Sequence, residues 1–144
     1  MKIFPAIDLY DGKAVRLFKG DYAQMTVYSD DPVAIAKEFE KQGAECIHVV
    51  DLEGAKKGSP AHLHVVKGIA EQTGLFIETG GGIRDMETVE QYLKNGANRV
   101  ILGTANSCIN ISINYKTARA YLKLVICNQG IFHVVLNDIA SIKI

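Results

Sequence analysis

The sequence predicts an α/β fold built on parallel strands. Two observations predict it. Short apolar runs alternate with amphipathic segments through the first hundred residues, joined by short loops, as parallel strands joined by crossover helices require. Each helical segment is also punctuated alike, with Asp-Pro, Ser-Pro or Asp at its start and Gly at its end.

Lys2 to Ile7 is mostly apolar, as expected for a strand buried on both faces, and it ends in Asp8. Asp11-Gly12 makes a turn, and Lys13 to Phe18 is a short extended return. Lys19 to Asp30 is polar and irregular, so a mobile loop is expected there. Asp31-Pro32 opens the first helix, with aspartate as N-cap and proline at the first helical position. Val33, Ala36 and Phe39 form its inward stripe, and Gly43 stops it.

Glu45 to Val50 is the second strand, ending in Asp51. Ser59-Pro60 opens the second helix, with Leu63, Val66 and Ile69 inward and Gly74 closing it. Leu75 to Glu78 is the third strand and runs into Gly80-Gly81-Gly82. Asp85 caps the third helix, with Met86, Val89 and Leu93 inward and Gly96 at its end. Arg99 to Leu102 is the fourth strand, ending in Gly103-Thr104.

Polar residues gather just after strand ends: Asp8, Asp51, Arg84 and Thr104. That rim carries the active sites of (β/α)8 barrels. An open doubly wound sheet is the other arrangement compatible with the same alternation. The glycine stretch is the most specific local signal. Glycines let backbone N–H groups approach an anion, a helix N-terminus adds partial positive charge, and Arg84 offers a forked donor. A tight strand-to-helix turn would use the same glycines.

The 144 residues are enough for one domain with a substantial core. Sixteen basic residues balance sixteen acidic ones, so net charge gives no reason to expect a nucleic-acid or acidic-membrane partner. Asp8 and Asp11 follow the N-terminal apolar residues too soon for a signal peptide, and no apolar run approaches a membrane span. Cys46, Cys108 and Cys127 lack metal-ligand spacing, and Cys46 is expected as a buried core thiol. Reduced thiols and a cytoplasmic location are the expectation.

Composition breaks after Thr104. Asp138 is the one acidic residue among 105–144, and that stretch holds eight isoleucines, one glycine and no proline. Ile109 to Tyr115, Tyr121 to Cys127 and Ile131 to Leu136 are β-prone runs. Two units are therefore expected: a four-strand unit over 1–104 and a divergent β-prone tail over 105–144. A frameshifted or mis-assembled coding end is the leading explanation of the tail, and a genuine alternative ending is the other.

Several motifs carry a family resemblance. Pro5-Ala6-Ile7-Asp8-Leu9, Gly12-Lys13-Ala14-Val15-Arg16-Leu17 and Lys19-Gly20-Asp21-Tyr22 resemble the opening of the HisA isomerase family of histidine biosynthesis. His48-Val49-Val50-Asp51-Leu52, Gly80-Gly81-Gly82-Ile83-Arg84 and Leu102-Gly103-Thr104-Ala105 resemble it in order and spacing. The sister cyclase family shares the glycine element. Ile7-Asp8-Leu9 and Val50-Asp51-Leu52 are more similar to the isomerase.

The resemblance covers residues 1 to about 105. It implies the N-terminal half of a TIM (β/α)8 barrel, whose full length is about 250 residues. It implies an Amadori rearrangement of a phosphorylated ribonucleotide, aminoaldose to aminoketose, with no cofactor and no metal. An acid opens the ribose ring and a base removes the C2′ proton. Asp8 matches the family's first catalytic aspartate, taken as the base. The second, after the fifth strand, falls beyond the resemblance, and the surroundings of Asp138 do not match it.

The same resemblance points to substrate contact for His48 and Asp51; the other readings are a satisfied core histidine for His48 and bonding to neighbouring backbone for Asp51. It assigns Gly81, Gly82, Arg84, Gly103 and Thr104 to one phosphate site. Arg16 and Lys19 are read as hairpin and loop charges. A phosphorylated small molecule is the implied partner. Little activity is expected of the chain as written, and exposed half-barrel edges are expected to promote self-association. The other readings are a relative of the cyclase and a non-catalytic phosphate-binding fragment.

Overall fold

A computed structural model describes residues 3–102, together with the strands Lys123–Cys127 and Ile131–Asn137. The elements run β1 (Ala6–Tyr10), β2 (Lys13–Phe18), β3 (Asp21–Ser29), α1 (Pro32–Lys41), β4 (Cys46–Asp51), α2 (Leu52–Lys57), α3 (Leu63–Gln72), β5 (Phe76–Gly80), α4 (Met86–Lys94) and β6 (Arg99–Leu102). The two later strands are β7 (Lys123–Cys127) and β8 (Ile131–Asn137).

One sheet contains all eight strands, in the order β3-β2-β1-β4-β5-β6-β8-β7. The pairs β1–β4, β4–β5 and β5–β6 are parallel. Their order never reverses, so right-handed crossovers put the intervening helices on one face. A doubly wound sheet reverses at a switch point. The four parallel strands with their helices are thus half of a (β/α)8 barrel, as expected.

The alternating side chains divide the sheet into two unlike faces. Ile7, Leu9, Ile47, Val49, Ile77, Val100 and Leu102 are buried together with Ala36, Val66, Ile69, Val89 and Tyr92 from the helices. On the opposite face, Asp8, His48, Val50, Glu78, Arg99 and Ile101 are only half-buried. A closed barrel would bury that face in its interior. Here the register sets out two cross-strand rows on it. Ala6, His48, Glu78 and Arg99 form one; Asp8, Val50, Gly80 and Ile101 form the next, nearer the C-terminal strand ends.

The caps follow the sequence. Asp31 accepts from the Ala34 N–H at 3.0 Å and Asp85 from the Thr88 N–H at 2.7 Å, with Pro32 in the first turn of α1. Cys46 is buried, as expected.

Four expectations need correction. Residues 19–30 are not an irregular loop: Asp21–Ser29 is β3, antiparallel to β2 with irregular register at Ala14/Val15 and Leu17/Phe18. Its tolerance of polar residues reflects its place at the sheet edge, where most of its side chains face solvent. A short helix, α2, follows directly on Asp51, and Ser59-Pro60 precedes α3 rather than starting it. The first strand extends through Asp8 to Tyr10, because β2 folds back on it. Met86 lies exposed at the start of α4, and Tyr92 takes the buried position instead.

Beyond residue 102, β8 pairs antiparallel with β6 and β7 with β8. These strands agree with two of the expected β-prone runs, and they occupy one edge of the parallel strands, that of β6. The run Ile109 to Tyr115, Asp138, and Gly103 and Thr104 lie outside the described residues.

Candidate functional site

Asp8 projects from the open sheet face, half-buried. Burial raises its carboxyl above the ordinary range, partly offset by electrostatic interaction with nearby His48 and Arg16. A carboxylate made more basic in this way, with cationic groups nearby, suits proton transfer. It lines a cavity of about 510 Å³ with Arg16, Val15 and Tyr28, where β2 leaves the edge of β1.

His48 lies one row below Asp8 on the same face. Its Nδ1 is 3.0 Å from Glu78 Oε1, although the N–H is not aligned as a hydrogen bond. Arg99 donates to Glu78 Oε2 at 2.7 Å and stacks its guanidinium 5.2 Å from the centre of the Phe76 ring. His48 and Arg99 together outweigh burial and hold the Glu78 carboxyl below its ordinary range. Sequence reading missed both Glu78 and Arg99. The available signal was one acid inside an apolar strand, but only strand register shows what it faces.

Asp51, read for either substrate contact or backbone bonding, lies in a buried hydrogen-bond network. It is 1% exposed, and its oxygens accept from Gly54 N–H (2.7 Å), Ala61 N–H (2.8 Å), His62 N–H (2.9 Å) and His62 Nδ1–H (2.8 Å). Tyr92 Oη approaches at 3.4 Å. Burial raises the Asp51 carboxyl, but His62 and the three backbone donors outweigh it and the net direction is down. Burial, joined by the same carboxylate, pushes the Tyr92 hydroxyl far up. Asp51 therefore caps α2 and ties together the loop that follows it.

His62 extends this network. Its Nε2 accepts from Gly12 N–H at 2.8 Å, and Glu53 accepts from Asp11 N–H at 3.0 Å. The β1–β2 turn is thereby docked on α2. Tyr22 Oη adds a bond to the Leu52 carbonyl at 3.1 Å. His62 was not singled out in the sequence, since its partners come from two distant segments, Gly12 and Asp51–Glu53.

Gly81 and Gly82 sit against the same helix start. Both have positive φ, 114° and 72°. A side chain at Gly81 would run into the Asp51 carbonyl oxygen, and one at Gly82 into the Gly54 carbonyl. Close packing thus requires these glycines whatever else they do. We expect Gly81→Ala to destabilise the chain by about 2–4 kcal/mol, combining backbone strain with overpacking. Urea unfolding measures it; a loss below about 1 kcal/mol would contradict this packing.

Arg84 is exposed, with its guanidinium over Gly58 at the end of α2. The structure therefore brings Gly81, Gly82, Arg84 and Asp51 together around α2. Asp8 and His48 stand on the open sheet face. Asp85 already fills the N-terminus of α4, so anion binding there would rest on the loop amides and Arg84 rather than on the helix end. Among the described residues no helix is long and apolar enough to cross a membrane.

A family model described as "Histidine biosynthesis protein" matches residues 2–125. Among curated relatives, a protein of Lactococcus lactis subsp. cremoris (strain SK11) is 57% identical over 106 residues, 73% of this chain and 43% of its own length. One of Roseiflexus castenholzii is 51% identical over 105 residues, 73% of this chain and 44% of its own. One of Oceanobacillus iheyensis is 48% identical over 118 residues, 82% of this chain and 48% of its own. Each is named as an imidazole-4-carboxamide isomerase whose substrate name carries two 5-phosphoribosyl groups. The chain spans under half the length of these relatives.

Proposed function

The chain belongs to the histidine biosynthesis protein family, and on that premise we propose that it carries one half of the catalytic machinery of a sugar-phosphate isomerase. The substrate would be the bis-phosphoribosyl imidazole carboxamide nucleotide named for its relatives, and the reaction the aldose-to-ketose rearrangement of its aminated ribose. The observation that carries this reading is Asp8: a half-buried carboxylate of raised pKa on the open face, the same face as His48, bordering a cavity between β1, β2 and α1.

In this reading Asp8 takes the C2′ proton once the ribose ring has opened. His48 contacts the same ribose from the row below. Gly81, Gly82 and Arg84, with Gly103 and Thr104 at the end of β6, hold one phosphate. Asp51 supports that loop from beneath rather than touching the nucleotide. The acid that opens the ring and the second phosphate anchor belong to the other half of the family fold. The family match runs to residue 125, past the compositional break after Thr104, so only residues 126–144 are read as lying outside the family pattern.

A second reading is favoured by the extent of the match, which stops short of half of each relative. It is a phosphate-binding half-barrel without turnover. We also infer self-association. The face that a complete barrel would enclose is open here and carries Val50 and Ile101 beside its charged groups, so a second copy could cover it. The cell compartment proposed is the cytoplasm.

Anion binding distinguishes both readings from an inert fragment. Titration with inorganic phosphate should shift the amide resonances of Gly81, Gly82 and Gly103. Arg84→Ala should weaken binding by about 1.5–3 kcal/mol, the worth of a charge-assisted hydrogen bond. Unmoved glycine amides at saturating phosphate would overturn the phosphate site.

A further inference from the structure

We infer that Glu78 is a positioning residue for His48, holding the imidazole proton on Nδ1 and leaving Nε2 as the nitrogen offered to a ligand on the open face. The two residues are direct partners in the β4–β5 register, on one face, and Arg99 is the next partner along. Glu78 stands between a histidine and an arginine, 3.0 Å from one and 2.7 Å from the other.

The argument is electrostatic. Nδ1 is buried and has no aligned hydrogen-bond partner, so its nearest polar neighbour decides its state. That neighbour is Glu78 Oε1, an oxygen of a carboxylate that His48 and Arg99 keep ionised. A bare lone pair on Nδ1 would face this oxygen at 3.0 Å and be repelled. A proton on Nδ1 is attracted, even off the ideal line. The tautomer is therefore the reverse of that preferred by free imidazole side chains, which carry the proton on Nε2. A histidine's role depends on which nitrogen its neighbour protonates.

Arg99 makes the arrangement one-directional. It occupies Glu78 Oε2, so Oε1 is the oxygen that remains for His48. Asp8 is also in electrostatic reach of His48, and Arg16 in turn of Asp8. For the nucleotide this means an acceptor nitrogen next to Asp8, suited to a ribose hydroxyl. That consequence rests on the isomerase reading; the tautomer does not.

Nitrogen-15 NMR of the imidazole rings in the full chain, in alkaline buffer where the rings are neutral, reads the tautomer directly. The His48 spectrum should show a protonated Nδ1 and a bare Nε2. In Glu78→Gln, Arg99 should keep the amide oxygen and turn the NH₂ group toward His48. A donor there demands a lone pair on Nδ1, so the proton should move to Nε2 in most molecules. Glu78→Asp keeps the carboxylate and should retain a majority on Nδ1. A structural role alone would not invert the tautomer in a folded variant. Protonated Nε2 in the unsubstituted chain overturns the inference without any variant, as does an unchanged tautomer in folded Glu78→Gln. Titration with the aminoaldose nucleotide separates the two claims. A protonated Nδ1 in a chain that binds no nucleotide would defeat the isomerase reading and leave the role of Glu78 standing.

Discussion

The purified 144-residue chain, given the aminoaldose nucleotide, should convert it at least about 10⁴-fold more slowly than a full-length isomerase. One acid–base partner is typically worth about 10²–10⁴-fold, and Asp8 has no matched acid opposite it. A second loss adds to the first. The distal phosphate has no assigned anchor among the described residues, and binding energy from remote groups is what orients the reacting ribose. The same sample should have a solution mass above that of one chain, because the sheet face that a barrel encloses is open among the described residues. Light scattering and a coupled assay of ketose formation measure both. A monodisperse monomer turning over within tenfold of a full-length enzyme would refute the reading. Loss of that turnover in Asp138→Asn would then locate the missing acid in the tail.

Asp51→Asn should unfold the chain more readily than any surface substitution, by about 3–5 kcal/mol. The carboxylate accepts three backbone N–H groups and the His62 ring from two sides, at 2.7–2.9 Å. An amide can supply one acceptor oxygen, and its NH₂ would face donors. Buried donors without acceptors cost about 1–3 kcal/mol each, so the loss of two or three of them accounts for the effect expected here. Because domains are stable by only about 5–15 kcal/mol, the variant should be marginal at room temperature.

The pH dependence has a definite sign. The folded Asp51 pKa is depressed below the unfolded value of about 3.9. Its stabilisation is therefore present above that value and lost as pH falls through the folded pKa. Asp51→Asn should remove this part of the acid unfolding. Urea midpoints across that range, for both chains, test it. An Asp51→Asn chain with an unchanged midpoint at neutral pH would show that the network does not support the fold.

The elements most legible in the sequence were those with strong local chemistry. Asp31-Pro32 and Asp85 announced two helices because their caps are satisfied within three residues. Arg99 to Leu102 was read with its observed bounds. The hairpin partner β3 was missed because an edge strand needs no apolar alternation. Helix α2 was missed because its cap, Asp51, was read for its place in a motif. Its six residues are too few for a periodic stripe.

The candidate site divides in the same way. Asp8, His48 and the glycine loop stood out through motif and residue type. Whether Gly81 and Gly82 are glycines for a phosphate or for packing could not be read locally. The answer lies in the Asp51 and Gly54 backbone that approaches them from another segment.

By itself, the sequence determined the alternation of strands and helices, the capped helix starts and the identity of the chemically able residues. These follow from local chemistry within a few residues of each position. The tertiary structure decided which of those residues share a face. Strand register put Asp8 and His48 on the open side and set Glu78 between His48 and Arg99. Chain crossings enclosed Asp51 beneath the glycine loop, where five donors converge on it. A shift of one residue in register turns every side chain to the other face. The chemistry of this half-barrel therefore depends on contacts between segments far apart in the chain.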